Sequence, residues 1–182
     1  MGTEDRFRDD LRAVLAEVQD VLARVAPREV DARLEAVLAA PTVFVTGEGR
    51  SGLVARAFAM RLLHLGRRAY VVGETATPAA APGDLLLALS GAGSTRVTRA
   101  RAEAARAGGL RLLVITGTPD SPLAGAADLR LLLPLPADGS RQFGGSLFEQ
   151  AALLLLDTLV LNLQRRLGES SAGMAARHAT LE

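Results

Sequence analysis

The chain has 182 residues, 49% of them hydrophobic, 23% charged and only 3% aromatic, enough for one sizeable core built from Leu, Val and Ala. Its 21 basic residues, all Arg, nearly balance 20 acidic ones to leave a net charge of +1, which predicts no nucleic-acid or polyanion partner. The absence of Lys excludes Schiff-base chemistry and a GxxxxGK[ST] phosphate loop, and the absence of Cys excludes thiol nucleophiles, disulfides and cysteine-ligated zinc.

Phe7, Leu11, Val14, Leu15, Val18, Val21, Leu22 and Val25 recur at three- and four-residue steps and predict an amphipathic helix that Pro27 interrupts. Val30, Leu34, Val37 and Leu38 carry a second helix to near Pro41. Beyond it, apolar runs at 42–46, 69–72, 85–89, 112–116 and 129–133 lack alternation, as parallel strands buried on both faces do. Helical patterns over 53–65 and 97–107 and a short turn at 123–126 separate them. This order predicts an α/β fold: a doubly wound, five-stranded parallel sheet flanked by helices, with an N-terminal helical arm.

Residues 138–145 are Gly-rich and polar and predict a loop, followed by a helix over 147–167 that is apolar on nearly all sides. Such a helix is expected to be buried all round, with a neighbouring subunit covering what this small chain cannot. The apolar run 151–163, broken by Asp157, Thr158 and Asn162, is too short to span a bilayer. Glu4, Asp5, Arg6, Arg8, Asp9 and Asp10 leave no room for a secretory signal. A soluble, cytoplasmic homo-oligomer without a membrane partner is expected, as one domain over 1–182: arm 1–40, core 41–168 and polar tail 169–182.

Two glycine loops follow strands and open helices. Gly47-Glu48-Gly49-Arg50-Ser51-Gly52 is a literal G-x-G-x-x-G, and Glu74 stands about where a ribose-binding acid belongs. That pair of features fits a nicotinamide or flavin site; a tight strand-to-helix turn explains the glycines equally well. Ser90-Gly91-Ala92-Gly93-Ser94-Thr95 adds hydroxyls and free backbone N–H groups at a second helix start, where an anion is favoured. Ser94 or Thr95 could alternatively be an ordinary N-cap. Two such loops at strand carboxyl ends point to one small phosphorylated ligand at the sheet's switch point.

Few residues remain for chemistry. Glu149 opens the long helix, where a carboxylate meets the macrodipole or serves as a general base at a pocket mouth. His178 sits in a polar tail and reads by composition as solvated; His64, within Leu62-Leu63-His64-Leu65, reads as a packing or capping histidine. Arg67 and Arg68 read as a solvated helix end. No His/carboxylate cluster suggests a metal, and no serine is tied to a histidine as a triad.

The segments Gly49-Arg50-Ser51-Gly52-Leu53-Val54, Val71-Val72-Gly73-Glu74-Thr75, Ser90-Gly91 with Gly93, Leu147-Phe148-Glu149 and the tail Arg177-His178-Ala179 with Leu181-Glu182 together resemble the SIS (sugar isomerase) domain family. The Val-Gly-Glu-Thr segment and the Arg-His-Ala tail are similar to its hexuloisomerase branch, over essentially the whole chain. The resemblance implies cofactor-free interconversion of 3-hexulose 6-phosphate and fructose 6-phosphate through an enediol. It implies substrate contacts from Arg50, Ser51, Ser90, Gly91, Ala92, Gly93, Ser94 and Thr95, with Glu149 as proton acceptor. It also implies a tetramer in which His178 enters a neighbouring subunit's site, and a functional link to a 3-hexulose-6-phosphate synthase. Ala92, Ser94 and Thr180 depart from the family's usual Ser, Glu and Asn, and Phe143-Gly144 from its usual Pro-containing approach. A non-catalytic sugar-phosphate sensor and a nicotinamide-dependent oxidoreductase are the alternatives.

Overall fold

A computed structural model describes residues 3–181; Met1, Gly2 and Glu182, the last residue of the tail motif, lie outside the described residues. Helices α1 (Thr3–Ala23) and α2 (Pro27–Ala39) form the arm, and Pro27 occupies the first turn of α2, where its missing N–H costs no hydrogen bond. Strands β1 (Val43–Thr46), β2 (Ala69–Val71), β3 (Leu85–Leu89), β4 (Arg111–Thr116) and β5 (Leu129–Leu132) make one parallel sheet in the order β2-β1-β3-β4-β5. All five expected strands are present, within a residue at each end.

Alternation along the buried strands divides the interior into two layers. Val43, Val45, Leu87, Leu89, Leu113 and Ile115 face α1, α2, α3 (Gly49–His64) and α6 (Ser146–Leu167). Phe44, Leu86, Ala88, Leu112 and Val114 face α4 (Arg96–Ala107) and α5 (Pro122–Ala126). The sheet is therefore doubly wound, and the chain changes direction between β1 and β3. Carboxyl ends of those two adjacent strands form the switch point.

Two sequence expectations about α3 and the turn after it are corrected here. Helix α3 begins at Gly49 rather than near 53, so Gly49–Gly52 are its first turn and not a loop ahead of it. A Cβ on Gly52 would lie 2.7 Å from the Gly47 carbonyl oxygen; that close approach lets the strand run straight into the helix. Arg67 is half-buried rather than solvated, and donates to the carbonyls of Leu38 at 3.0 Å and Ala40 at 2.8 Å, tying the α3–β2 turn to the arm.

Helix α6, 22 residues long, is long and apolar enough to cross a membrane by length and composition, longer than the run 151–163 suggested. Half of its most apolar window is buried inside the fold, where it packs on α1, α2 and α3. It is not buried all round: Leu154 and Leu161 are exposed, as are Leu11 and Leu15 of α1. The helix ends at Gly168, whose left-handed φ of 64° closes the last turn. A short α7 (Ser171–Ala176), capped by Ser170, forms in the tail.

Candidate active site

Three helix N-termini converge on the switch point. Helix α3 follows β1, α4 follows β3, and the start of α6 packs against both loops, so their positive dipole ends face a common space. The β3 loop is held tightly. The carbonyl of Gly91 accepts from Gly117 N–H at 3.0 Å, Thr118 Oγ1 at 3.1 Å and Thr116 Oγ1 at 3.2 Å, all from the end of β4. Gly93 is buried with φ of 61°, and a Cβ there would fall 2.0 Å from Ser121 Oγ, so no other residue fits without displacing the α5 cap.

Within that loop the hydroxyls turn inward. Buried Ser90 accepts from Gly93 N–H at 3.1 Å, and its Oγ lies 3.2 Å from Thr95 Oγ1. Thr95 occupies the N-cap of α4 but its side chain makes no cap hydrogen bond. The ordinary-cap explanation thus fails for Thr95, whose hydroxyl is directed to Ser90 instead. Ala92 and Ser94 are exposed, and Ser51, in the first turn of α3, is buried.

Glu149 is the residue that joins the two halves. Arg50 Nε donates to Glu149 Oε2 at 2.5 Å, bridging the first turns of α3 and α6 across 99 positions of sequence. The Glu149 side chain is only 12% exposed against 59% for Arg50, so the acid is the sheltered partner. Its other oxygen lies toward Gly145, where a Cβ would approach to 3.2 Å. Directly before it, fully buried Phe148 packs its ring against Gly91, at 3.1 Å from where a Cβ would stand. The carboxylate and the hydroxyl-rich loop are neighbours through that one contact.

The other sequence candidates lie elsewhere. Glu74 pairs with Arg56 at 3.0 Å on the β2 side of the sheet. His178 is exposed, but its ring stacks on buried His64 with centroids 5.0 Å apart. His64 ends α3 and Arg50 begins it, so at 1.5 Å per residue the two ends are about 20 Å apart. Within one chain His178 therefore does not meet Glu149. Among the described residues no group of three or more His, Asp or Glu side chains could hold a metal.

Two contacts escaped sequence reasoning. Glu17 of α1 accepts from Ser140 Oγ at 2.8 Å, Arg141 N–H at 2.9 Å and Gln142 Nε2 at 3.2 Å, pinning the loop that leads into α6. The Arg141 backbone bond, then the Ser140 hydroxyl, hold its carboxyl below the usual glutamate range. Arg101 of α4 crosses to Thr46 and Glu48 at the other glycine loop. Both join residues more than 50 positions apart, and no local spacing announces them.

Comparison with known proteins identifies the family. The SIS domain family model matches residues 37–156. A 3-hexulose-6-phosphate isomerase from Mycobacterium gastri is 40% identical over 184 residues, covering 98% of this chain and 92% of that protein. Another from Bacillus subtilis is 38% identical over 177 residues, covering 93% and 95%. A crystal structure from Methanococcus jannaschii, from which a 3-hexulose-6-phosphate isomerase function was inferred, superposes with a TM-score of 0.87 at 30% identity, covering 96% of this chain and 99% of that one. The chain belongs to the SIS domain family, among its 3-hexulose-6-phosphate isomerase relatives.

Proposed function

We propose that the chain interconverts 3-hexulose 6-phosphate and fructose 6-phosphate, with Glu149 as the proton-transferring base. The observation that carries this reading is the sheltered Glu149 carboxylate, gripped by Arg50 beside the Ser90–Thr95 loop. The phosphate sits on that loop, held by the hydroxyls of Ser90 and Thr95, Ser51 and the backbone of Gly91 and Gly93, with Arg50, Ala92 and Ser94 around it. Its binding energy, remote from the reacting carbons, orients the sugar.

In the forward step Glu149 takes the C2 proton. The C2–H electron pair forms the C2=C3 bond, and the C3 oxygen takes up a proton to complete the enediol. Return of the proton to C3, with loss of the C2 hydroxyl proton, leaves the carbonyl on C2; no oxidant or cofactor enters the balance. Arg50 occupies Oε2, so Oε1 is the oxygen open to the C–H group. Backbone N–H groups of the loops, or His178 from a neighbouring subunit, stabilise the enediolate oxygen.

A homotetramer in the cytoplasm is part of the same reading, organised as arm 1–40, core 41–168 and tail 169–182. Leu15 of α1 with Leu153 and Leu154 of α6 line one apolar groove, open to solvent, for a second subunit to cover. The substrate would come from a 3-hexulose-6-phosphate synthase.

The test supplies purified protein with 3-hexulose 6-phosphate, without metal or nucleotide, and follows fructose 6-phosphate by a coupled assay. Turnover is expected, and Glu149→Gln should fold but lose most of it with little change in KM. Near-parental kcat in Glu149→Gln would remove Glu149 from the mechanism. No turnover, with the phosphosugar still raising Tm, would indicate a binder; stabilisation by NAD alone would indicate the dinucleotide alternative.

A further inference from the structure

The turn between β1 and α3 carries two carboxylate–guanidinium pairs on residues two apart. Arg50 points to Glu149 across the site; Glu48 points the other way, to Arg101 Nη1 at 2.6 Å. The same nitrogen donates to Thr46 Oγ1 at 3.1 Å. The other terminal nitrogen closes over Gly73, 3.0 Å from where a Cβ would stand. Arg101 is thus wedged between the ends of β1 and β2, and its side chain is only 29% exposed. Glu48 is the N-cap residue of α3 yet makes no cap hydrogen bond, so Arg101 is the partner of its carboxylate among the described residues.

We propose that Arg101 is a positioning residue of the isomerase site: it holds Glu48 on the β2 side of the turn and so reserves Arg50 for Glu149. The proposal rests on the reading of Glu149 as the base. Glu48 stands between Gly47 and Gly49, and its side chain is 41% exposed, so the carboxylate is free to swing once Arg101 no longer holds it. An acid released there lies two residues from an Arg50 side chain that is 59% exposed. The Arg50 guanidinium is open to solvent on its outer side, so freed Glu48 competes there with the sheltered Glu149 for it. The base then loses its orientation while the Ser90 and Thr95 hydroxyls keep hold of the phosphate, a loss that falls more on kcat than on KM.

The experiment measures kcat and KM with fructose 6-phosphate and 3-hexulose 6-phosphate for Arg101→Met, Glu48→Gln and the double variant, with Glu149→Gln alongside. Arg101→Met should lower kcat about tenfold with KM within about twofold of the parent. Glu48→Gln should stay near parental. The double variant should recover near-parental kcat, because no carboxylate remains to compete. A double variant as slow as Arg101→Met, or slower, would assign Arg101 to packing and overturn the proposal, as would parental kcat in Arg101→Met. Arg101→Gln, which keeps a donor for Thr46, replaces Arg101→Met if that variant does not fold, with the same rescue required. Parental kcat in Glu149→Gln overturns the base and this proposal together; an inactive Glu149→Gln without rescue overturns this proposal alone.

Discussion

Replacing Gly93 by Ala tests how the β3 loop is built. The added methyl would stand 2.0 Å from Ser121 Oγ and 2.4 Å from its Cβ, on a backbone with φ of 61°. The left-handed conformation alone costs about 1 kcal/mol in a residue with a Cβ. Ser121 must also move, because its Cβ is no flexible tip. Its Oγ caps α5 by accepting from Ala124 N–H at 3.3 Å and donates to the Thr118 carbonyl at 2.8 Å. Losing the cap costs about 1 kcal/mol and losing the bond about as much again. The sum, about 3 kcal/mol, lowers Tm by roughly 6–12 °C in a chain of this size. Gly93 N–H also positions Ser90 Oγ, so KM for the phosphosugar should rise about tenfold while kcat changes less. Thermal unfolding followed by circular dichroism, with the coupled assay, measures both. A Tm within about 2 °C of the parent and an unchanged KM would refute this account of the loop.

Glu17→Gln should lower Tm by a few degrees at neutral pH. The native carboxyl is held below its ordinary range, chiefly by the Arg141 N–H and the Ser140 hydroxyl, so its contribution is complete above the unfolded-state value and is lost as pH falls through the lower native one. The Tm gap between parent and variant should therefore close in acid, and a gap that widens there would contradict this assignment. On the proposed reading, in which His178 completes the Glu149 site of a neighbouring subunit, Glu149→Gln and His178→Ala should each lose turnover, and mixing the two after dissociation and reassembly should restore part of it; no recovery would place His178 outside the chemistry. Ser90→Ala should mainly raise KM, and an unchanged KM would remove this loop from phosphate binding.

How much was legible in advance follows from the range of each interaction. Strands β1 to β5 carry unbroken apolar runs, so their burial on both faces is written locally, and their expected positions stand within a residue. The start of α3 was placed four residues late because glycines read as loop formers; the Gly47–Gly52 contact that admits a helical turn there is tertiary. Both Arg50 and Glu149 stand as candidates on the sequence, but their pairing across 99 positions is not written there. Thr95 reads as a cap because it precedes a helix, whereas the folded loop turns its hydroxyl to Ser90. The stacking of His178 on His64 was hidden for the same reason: a polar tail carries no periodic signal for where it docks.

The contact between Phe148 and Gly91 has a mechanical consequence. Phe148 precedes Glu149 on a rigid helical turn, and Gly91 is fastened to the β4 end through its carbonyl. The acid and the loop proposed as the anion cradle are thereby geared as one part rather than two. A ligand that drew the cradle toward its phosphate would press on the Phe148 ring and carry the Glu149 carboxylate with it. Sugar phosphates that fill the cradle would cock the acid, whereas the same sugars without phosphate would leave it at rest.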